Sequence, residues 1–343
     1  MKGRVIVLDQ WQGREAAALV QDGRLEDLLI DDDSAPRPGA IYRAICDRPV
    51  KGQGGMFVKL ADGETGYLKT AKGMKAGDVL LVQVTGVAEP GKAVPVTDRV
   101  LFKSRYVIVT PNAPGINISR QIDDEERREE LLALVDTALL PEGAGLIMRS
   151  NCWEADDEDI QMDIDAMTDL ASKVLADAAG TKPEALTDGD GPHDLAWREW
   201  NADAILGEDN AFATTGIDEQ IAALNSPLVD LGEATMYIET TRALVAIDVN
   251  TAGDTSPAAA LKANMAASRA LARQLRLRGL GGQIVVDFAP MSKAQRQPLE
   301  QSLRSVFRAD PVETSLVGWT AMGLFELSRK RERLPLARLL KEV

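Results

Sequence analysis

The chain has 343 residues, of which 45% are hydrophobic and 4% aromatic, and a formal charge of -14. Apolar content at that level excludes wholesale disorder, and no apolar run approaches the roughly 18 residues that cross a bilayer. Two cysteines, Cys46 and Cys152, and one histidine, His193, exclude a disulfide framework or a four-ligand zinc site and argue against His-based metal or triad chemistry; a cytoplasmic protein of two or three compact units is expected.

The first residues, Val5-Ile-Val-Leu8, read as a strand that breaks at Asp9, and not as a signal peptide. A second extended piece ends at Ile30, and Asp31–Gly39 is a turn-rich boundary. Five β-like runs follow, at 41–46, 55–60, 65–69, 79–85 and 93–96. Their close spacing by Gly, Asp and Pro predicts a small antiparallel barrel of the OB type. Gly86-Val-Ala-Glu-Pro-Gly-Lys92 resembles a phosphate-binding loop, but no Ser or Thr follows the lysine and Pro95 forbids the required helix. It reads as a hairpin loop.

A strand at 106–109, an acidic helix near 123–139, a strand at 145–148 and a helix near 156–178 come next. The stretch 179–215 is rich in Gly, Asp and Pro, has weak periodicity and reads as loop. Beyond it the pattern predicts a hairpin (235–239 and 243–249), a helix over 257–278, a strand over 283–288, a helix over 292–308 and a strand over 314–320.

Charge is unevenly distributed. Residues 261–343 carry 15 Lys/Arg against 7 Asp/Glu, a net of +8, while the first 260 carry 24 against 46, a net of -22. The acidic runs 123–130 and 154–159 suit helix starts. A basic C-terminal part remains able to bind phosphate, because affinity follows local potential.

Two apolar strands end in carboxylates: Leu244-Val-Ala-Ile-Asp248-Val-Asn250 and Gln283-Ile-Val-Val-Asp287. Alternation puts Asp248 and Asn250 on one face. One helix and a Gly279-Leu-Gly-Gly282 turn lie between the strands, enough for a right-handed parallel crossover. Parallel neighbours would bring both carboxylates to one edge, where two carboxylates and an amide oxygen suit one Mg²⁺. A turn or helix-cap role for each aspartate is the competing reading. Arg269, Arg273 and Arg276 share one helix face, placed either to hold phosphates or simply to be solvated.

These segments, with Ala272-Arg-Gln-Leu-Arg-Leu-Arg278 and Leu280-Gly-Gly-Gln-Ile-Val-Val-Asp-Phe288, resemble the ribonuclease E/G family. Gly216-Ile-Asp-Glu-Gln220, Gly323-Leu-Phe-Glu-Leu-Ser-Arg-Lys-Arg331 and Pro141–Ser150 resemble further motifs, all in family order. The resemblance implies an α/β, multi-subdomain (α+β) fold. An S1/OB-type RNA-binding barrel (37–104) would be inserted in an RNase H-like part (1–36 and 166–222). A 5′-end sensor segment (105–165) and a DNase I-like catalytic part (223–343) complete it.

The implied activity is Mg²⁺-dependent endonucleolytic hydrolysis of single-stranded RNA, leaving 5′-phosphate ends, in rRNA processing or mRNA decay. Asp248 and Asp287 would hold the metal, and Asn250 would orient a ligand or the scissile phosphate. Phe57 and Tyr67 would stack on RNA, with burial in the barrel as the competing reading for each, and Lys92, Arg269, Arg273 and Arg276 would be further RNA contacts. Arg149, Ser150 and Ile108 would form the pocket for a stimulating 5′-monophosphate. Arg149 could equally pair with the acidic run after it.

The pattern departs from the family in places. No Cys-x-x-Cys zinc link is present, so zinc-linked dimerisation is not expected and homo-oligomer formation stays open. Thr251-Ala-Gly-Asp254, Glu313 and Ala321 stand where basic or loop residues are common, Ser104 stands for a usual glycine, and Gln121 for a second arginine. Weaker or narrower activity is expected. The alternative is an RNA-binding protein of the same fold with little or no catalysis.

Overall fold

Gln12-Gly13 and Asp22-Gly23 decide how the chain begins. In the computed structural model, which describes residues 2–32, 34–52, 54–135 and 138–340, their φ angles are 52° and 77°, then 50° and 82°. Positive φ at both central positions gives the tight hairpin turn whose twist matches that of the flanking strands. Residues 4–30 therefore fold as a three-stranded meander, β1 (Arg4–Trp11), β2 (Arg14–Gln21) and β3 (Arg24–Ile30). Two extended pieces were expected; the first turn hides in the sequence because Gln is a poor marker of positive φ.

The chain then enters a second compact unit, Asp33–Asn201, and returns at Ala202 to the unit begun by residues 1–32. All five expected barrel strands form: β4 (Ile41–Pro49), β5 (Met56–Lys59), β6 (Thr65–Leu68), β7 (Val79–Val84) and β8 (Val94–Thr97). They close in the order β4-β5-β6-β8-β7 and back to β4. Pairing is antiparallel except between β6 and β8, an arrangement consistent with an OB-type barrel. Small and branched side chains, Ala44, Val58, Val82 and Val96 among them, fill the interior. Gly66 is required there, since a Cβ would lie 2.8 Å from Val58 Cγ2.

Around the barrel the second unit adds β9 (Phe102–Lys103), β10 (Val107–Thr110), β11 (Gly115–Ile118), α1 (Glu125–Val135), β12 (Gly145–Met148) and α2 (Asp157–Asp177). The sheet runs β11-β12-β10-β9 and buries Val107, Val109, Leu146 and Met148 against Leu131, Ile160 and Ile164 of the helices. Where a loop was expected, β13 (Glu184–Thr187) adds to β4 and α3 (Pro192–Glu199) follows. Elements this short carry too few residues to show a period. Tertiary bonds hold them instead, such as that of Arg43 Nε to the Lys182 carbonyl at 2.8 Å.

Back in the first unit, β14 (Ala204–Leu206) joins β1 in parallel, followed by α4 (Ala211–Thr215) and α5 (Ile217–Ala223). Then come β15 (Leu228–Asp230), β16 (Ala234–Thr240), β17 (Val245–Thr251), α6 (Pro257–Leu277), β18 (Gly282–Asp287), α7 (Lys293–Ala309), β19 (Thr314–Trp319), β20 (Phe325–Arg329) and α8 (Leu336–Leu339). The sheet order is β15-β16-β17-β18-β20-β19. The one parallel pair is β17–β18, joined through α6 as the spacing predicts. Pro257 at the first helical position and Ser256, whose Oγ accepts from Ala259 N at 3.2 Å, start that helix sharply.

One sheet face, Val245, Ile247, Val249, Ile284 and Val286, packs on Ala263, Ala267, Leu271 and Leu275 of α6 and Leu299 and Leu303 of α7. Alternation leaves the opposite face polar and open. Among the described residues no helix is long and apolar enough to cross a membrane.

Candidate active site and nucleic-acid interface

The open face of this sheet carries the two carboxylates. β17 and β18 pair in parallel with Asp248 and Asp287 as direct register partners, so their Cα atoms sit about 4.8 Å apart. Both side chains are exposed, as is Asn250. Asn250 Nδ2 donates to Asp248 Oδ2 at 2.6 Å, and the other carboxylate oxygen has no partner among the described residues. The amide therefore holds Asp248 in place through its N–H. The Asp287 carboxylate makes no hydrogen bond or ion pair among the described residues. The cap role weighed for Asp287 is taken by Ser292, whose capping box opens α7.

Sequence reasoning passed over the residue that holds the end of β18. Asn264 lies fully buried on the apolar face of α6. Its Oδ1 accepts from Ala289 N at 2.9 Å, and its Nδ2 donates to Ala289 O at 2.9 Å. Both polar groups of one residue, two positions beyond Asp287, are thus satisfied by one side chain. The signal was present: an asparagine at a position where the helical period demands an apolar residue.

Arg269 is exposed on α6, but Arg273 and Arg276 do not present free guanidinium groups. Arg273 Nη1 donates to Leu25 O and Arg276 Nη2 to Glu26 O, both at 2.7 Å. Arg276 also pairs with the buried Asp310, which binds Arg329 at 2.8 Å, and it approaches Asp27 at 3.4 Å. Burial opposes ionisation of Asp27, yet Arg333 and Arg276 outweigh it and hold its carboxyl below the ordinary range. For Arg273 and Arg276 the expected RNA contact gives way to a structural one: the shared helix face is real, and it docks the first meander.

The second unit supplies the aromatic residues. Phe57 and Tyr67 are cross-strand partners with ring centroids 5.8 Å apart at 55°, and both are half-buried on the outside of the barrel. Arg48, which the sequence reading did not single out, stands 5.1 Å over the Phe57 ring. Gly55 leaves room for Tyr67, whose hydroxyl would lie 2.7 Å from any added Cβ. Lys92 is exposed in the β7–β8 loop and pairs with Glu89 at 2.5 Å.

Ile108 sits on β10 opposite Ile147, while Arg149 and Ser150 follow β12 directly. Arg149 Nη1 donates to Ser104 O at 2.6 Å, and Nη2 donates to Glu199 Oε2 at 2.6 Å. Its carboxylate partner thus comes from α3 and not from the acidic run 154–159. Burial pushes the Glu199 pKa up, but the Arg149 and Arg198 guanidinium groups hold it below the usual value.

A model of the ribonuclease E/G family matches residues 102–205 and 199–332. The chain belongs to that family. It is 27% identical to ribonuclease E of a Nostoc species over 97% of this chain and 56% of the relative. Ribonuclease G of Salmonella typhimurium is 28% identical over 76% of this chain and 61% of the relative. Ribonuclease G of Haemophilus influenzae is 25% identical over 94% and 78%, respectively. The chain spans a little over half the length of the Nostoc relative. Both family matches include residues 199–205, and together they contain the strands bearing Asp248 and Asp287 and the Arg149 cluster. The barrel strands precede them.

Proposed function

We propose that this chain is an endoribonuclease that hydrolyses phosphodiester bonds of single-stranded RNA with Mg²⁺, leaving 5′-phosphate ends, in RNA processing or decay in the cytoplasm. The observation that carries the reading is the register pairing of Asp248 with Asp287 on the exposed sheet face of a ribonuclease E/G family chain. The donor set fits the ion. No group of three or more His, Cys, Asp or Glu is placed to hold a metal ion among the described residues, and Mg²⁺ needs only one or two carboxylates when waters and substrate phosphate complete its shell.

Asp248 and Asp287 would hold that metal. When bound, it would lower the pKa of water and offset charge on the phosphate. Asn250 would help to orient Asp248, to which its amide N–H donates. Phe57 and Tyr67 offer π-faces to bases, each stacked base contributing roughly 1–3 kcal/mol; Arg48 adds positive charge beside Phe57, and Lys92 would contact phosphate from the β7–β8 loop. Arg149, Ser150 and Ile108 are the proposed contact for a 5′-monophosphate. The subdivision into RNase H-like (1–36 and 166–222), S1, 5′-sensor and DNase I-like parts belongs to the same proposal.

Cleavage of a 5′-monophosphorylated single-stranded RNA with MgCl₂ tests the reading, with product ends typed chemically. Wild type is expected to cut internally, and Asp248→Asn and Asp287→Asn to be inactive. Equal cleavage by all three would dismiss the site. Binding without cleavage in wild type would favour an RNA-binding protein of the same fold.

A further inference from the structure

Arg149 and Arg198 converge on a carboxylate of the protein itself. Glu199, the last residue of α3, accepts from Arg149 Nη2 through Oε2 at 2.6 Å and from Arg198 Nε through Oε1 at 2.7 Å. Each arginine is also anchored elsewhere, Arg149 by the Ser104 carbonyl and Arg198 by Asp190. Two anchored guanidinium groups on the two oxygens of one carboxylate make an anion site with its anion built in. The depressed pKa of Glu199 accords with this, since the resident anion is charged at neutral pH.

The carboxylate is held and yet reachable. Arg105 ties down the chain around α3, bonding Trp200 O and Asn201 Oδ1, each at 3.1 Å, and stacking 4.4 Å over the Trp197 ring. The Glu199 side chain is nevertheless 39% exposed, so a solvent-borne anion can compete for the same N–H groups.

We propose that Glu199 is a specificity-determining residue: it occupies the anion site at Arg149 and so weakens recognition of an RNA 5′-monophosphate. The inference rests on the proposed role of Arg149, Ser150 and Ile108 as the 5′-end contact. A terminal phosphate must displace a carboxylate already bonded to both arginines and then sit beside its negative charge. Exchanging one charge-assisted pair for another leaves little net gain over a 5′-hydroxyl end. The 5′ preference is therefore expected to be small in this chain, and Glu199 sets it.

The test is binding of a 3′-fluorescein-labelled single-stranded oligoribonucleotide, carrying either a 5′-monophosphate or a 5′-hydroxyl, to the full chain. Anisotropy is read without divalent metal, so the outcome does not depend on cleavage. Wild type is expected to bind both ends with affinities equal within about twofold. Glu199→Gln keeps the side-chain shape and removes the charge; it should gain roughly tenfold for the 5′-monophosphate alone. Adding Arg149→Gln should abolish that gain.

A strong 5′-monophosphate preference in wild type would overturn the inference without any variant. So would an equal affinity rise for both oligonucleotides in Glu199→Gln. If Glu199→Gln gains nothing while Arg149→Gln weakens binding of the 5′-monophosphate, the Glu199 role fails and the Arg149 contact stands. A gain that survives Arg149→Gln would place the phosphate elsewhere and remove both.

Discussion

Replacing Asp287 by Asn distinguishes a metal-binding carboxylate from a structural one, because the two roles give opposite signs for stability. Asp248 and Asp287 are exposed register partners, and two unit charges about 5 Å apart in water repel by roughly 0.8 kcal/mol. Asp287 makes no hydrogen bond or ion pair among the described residues that would be lost. Without metal, Asp287→Asn should therefore stabilise the first unit by up to about 0.8 kcal/mol, a rise of roughly 2–3 °C for a unit of this size.

Metal should reverse the order. An ion that binds only the folded chain adds RT ln(1 + [Mg²⁺]/Kd), about 1.4 kcal/mol at a tenfold excess over Kd. Wild type should show that gain and the variant little of it, while cleavage falls by at least about 10²-fold. Calorimetry in EDTA and in excess MgCl₂, with cleavage assayed in parallel, reads all three quantities. A variant less stable than wild type in EDTA, or one showing the same metal-induced shift, would refute the reasoning.

Asn264→Ala strips both bonds from the Ala289 backbone in a fully buried setting. It should cost about 3 kcal/mol in urea denaturation and slow cleavage; an unchanged midpoint would show that Asn264 does not hold the strand end. Phe57→Ala should weaken binding of single-stranded RNA by roughly 1–3 kcal/mol with little change in melting, and a drop of several degrees would mark Phe57 as a core residue instead. Arg333 and Arg276 hold Asp27 below its ordinary pKa despite burial. That stability is present above the unfolded value near 4 and is lost as pH falls through the folded value. Acid titration of Asp27→Asn should show a shallower loss than wild type below that pH, and parallel curves would mean the ion network adds no pH dependence.

Much of the candidate site was legible because β alternation and crossover length are local properties. Asp248 and Asn250 on one face, and a parallel partner strand across one helix, follow from the chain alone. The five barrel strands were readable for the same reason, each bounded by Gly, Asp or Pro. The partners of charged side chains were not. The spacing of Arg273 and Arg276 defines their face of α6 and says nothing of the meander 250 residues away in sequence that binds it. Asn264 and Glu199 bond along contacts of 25 and 50 residues, beyond any local pattern.

The net charge of -14, divided into an acidic first part and a basic last part, was likewise visible from composition, as was the scarcity of His and Cys. By itself the sequence determined the long periodic elements, the barrel strands and the strand–helix–strand unit that carries Asp248 and Asp287, and the face that Asp248 and Asn250 share, because backbone periodicity leaves little choice there; the short elements between 179 and 215 were beyond it. Only the tertiary structure decided which arginines are spent inside the protein and which remain for a ligand. Arg273, Arg276 and Arg149 all read as phosphate contacts, and each is bonded to a carbonyl or carboxylate that folding brings to it. A guanidinium carries five donors and binds the acceptors packed around it.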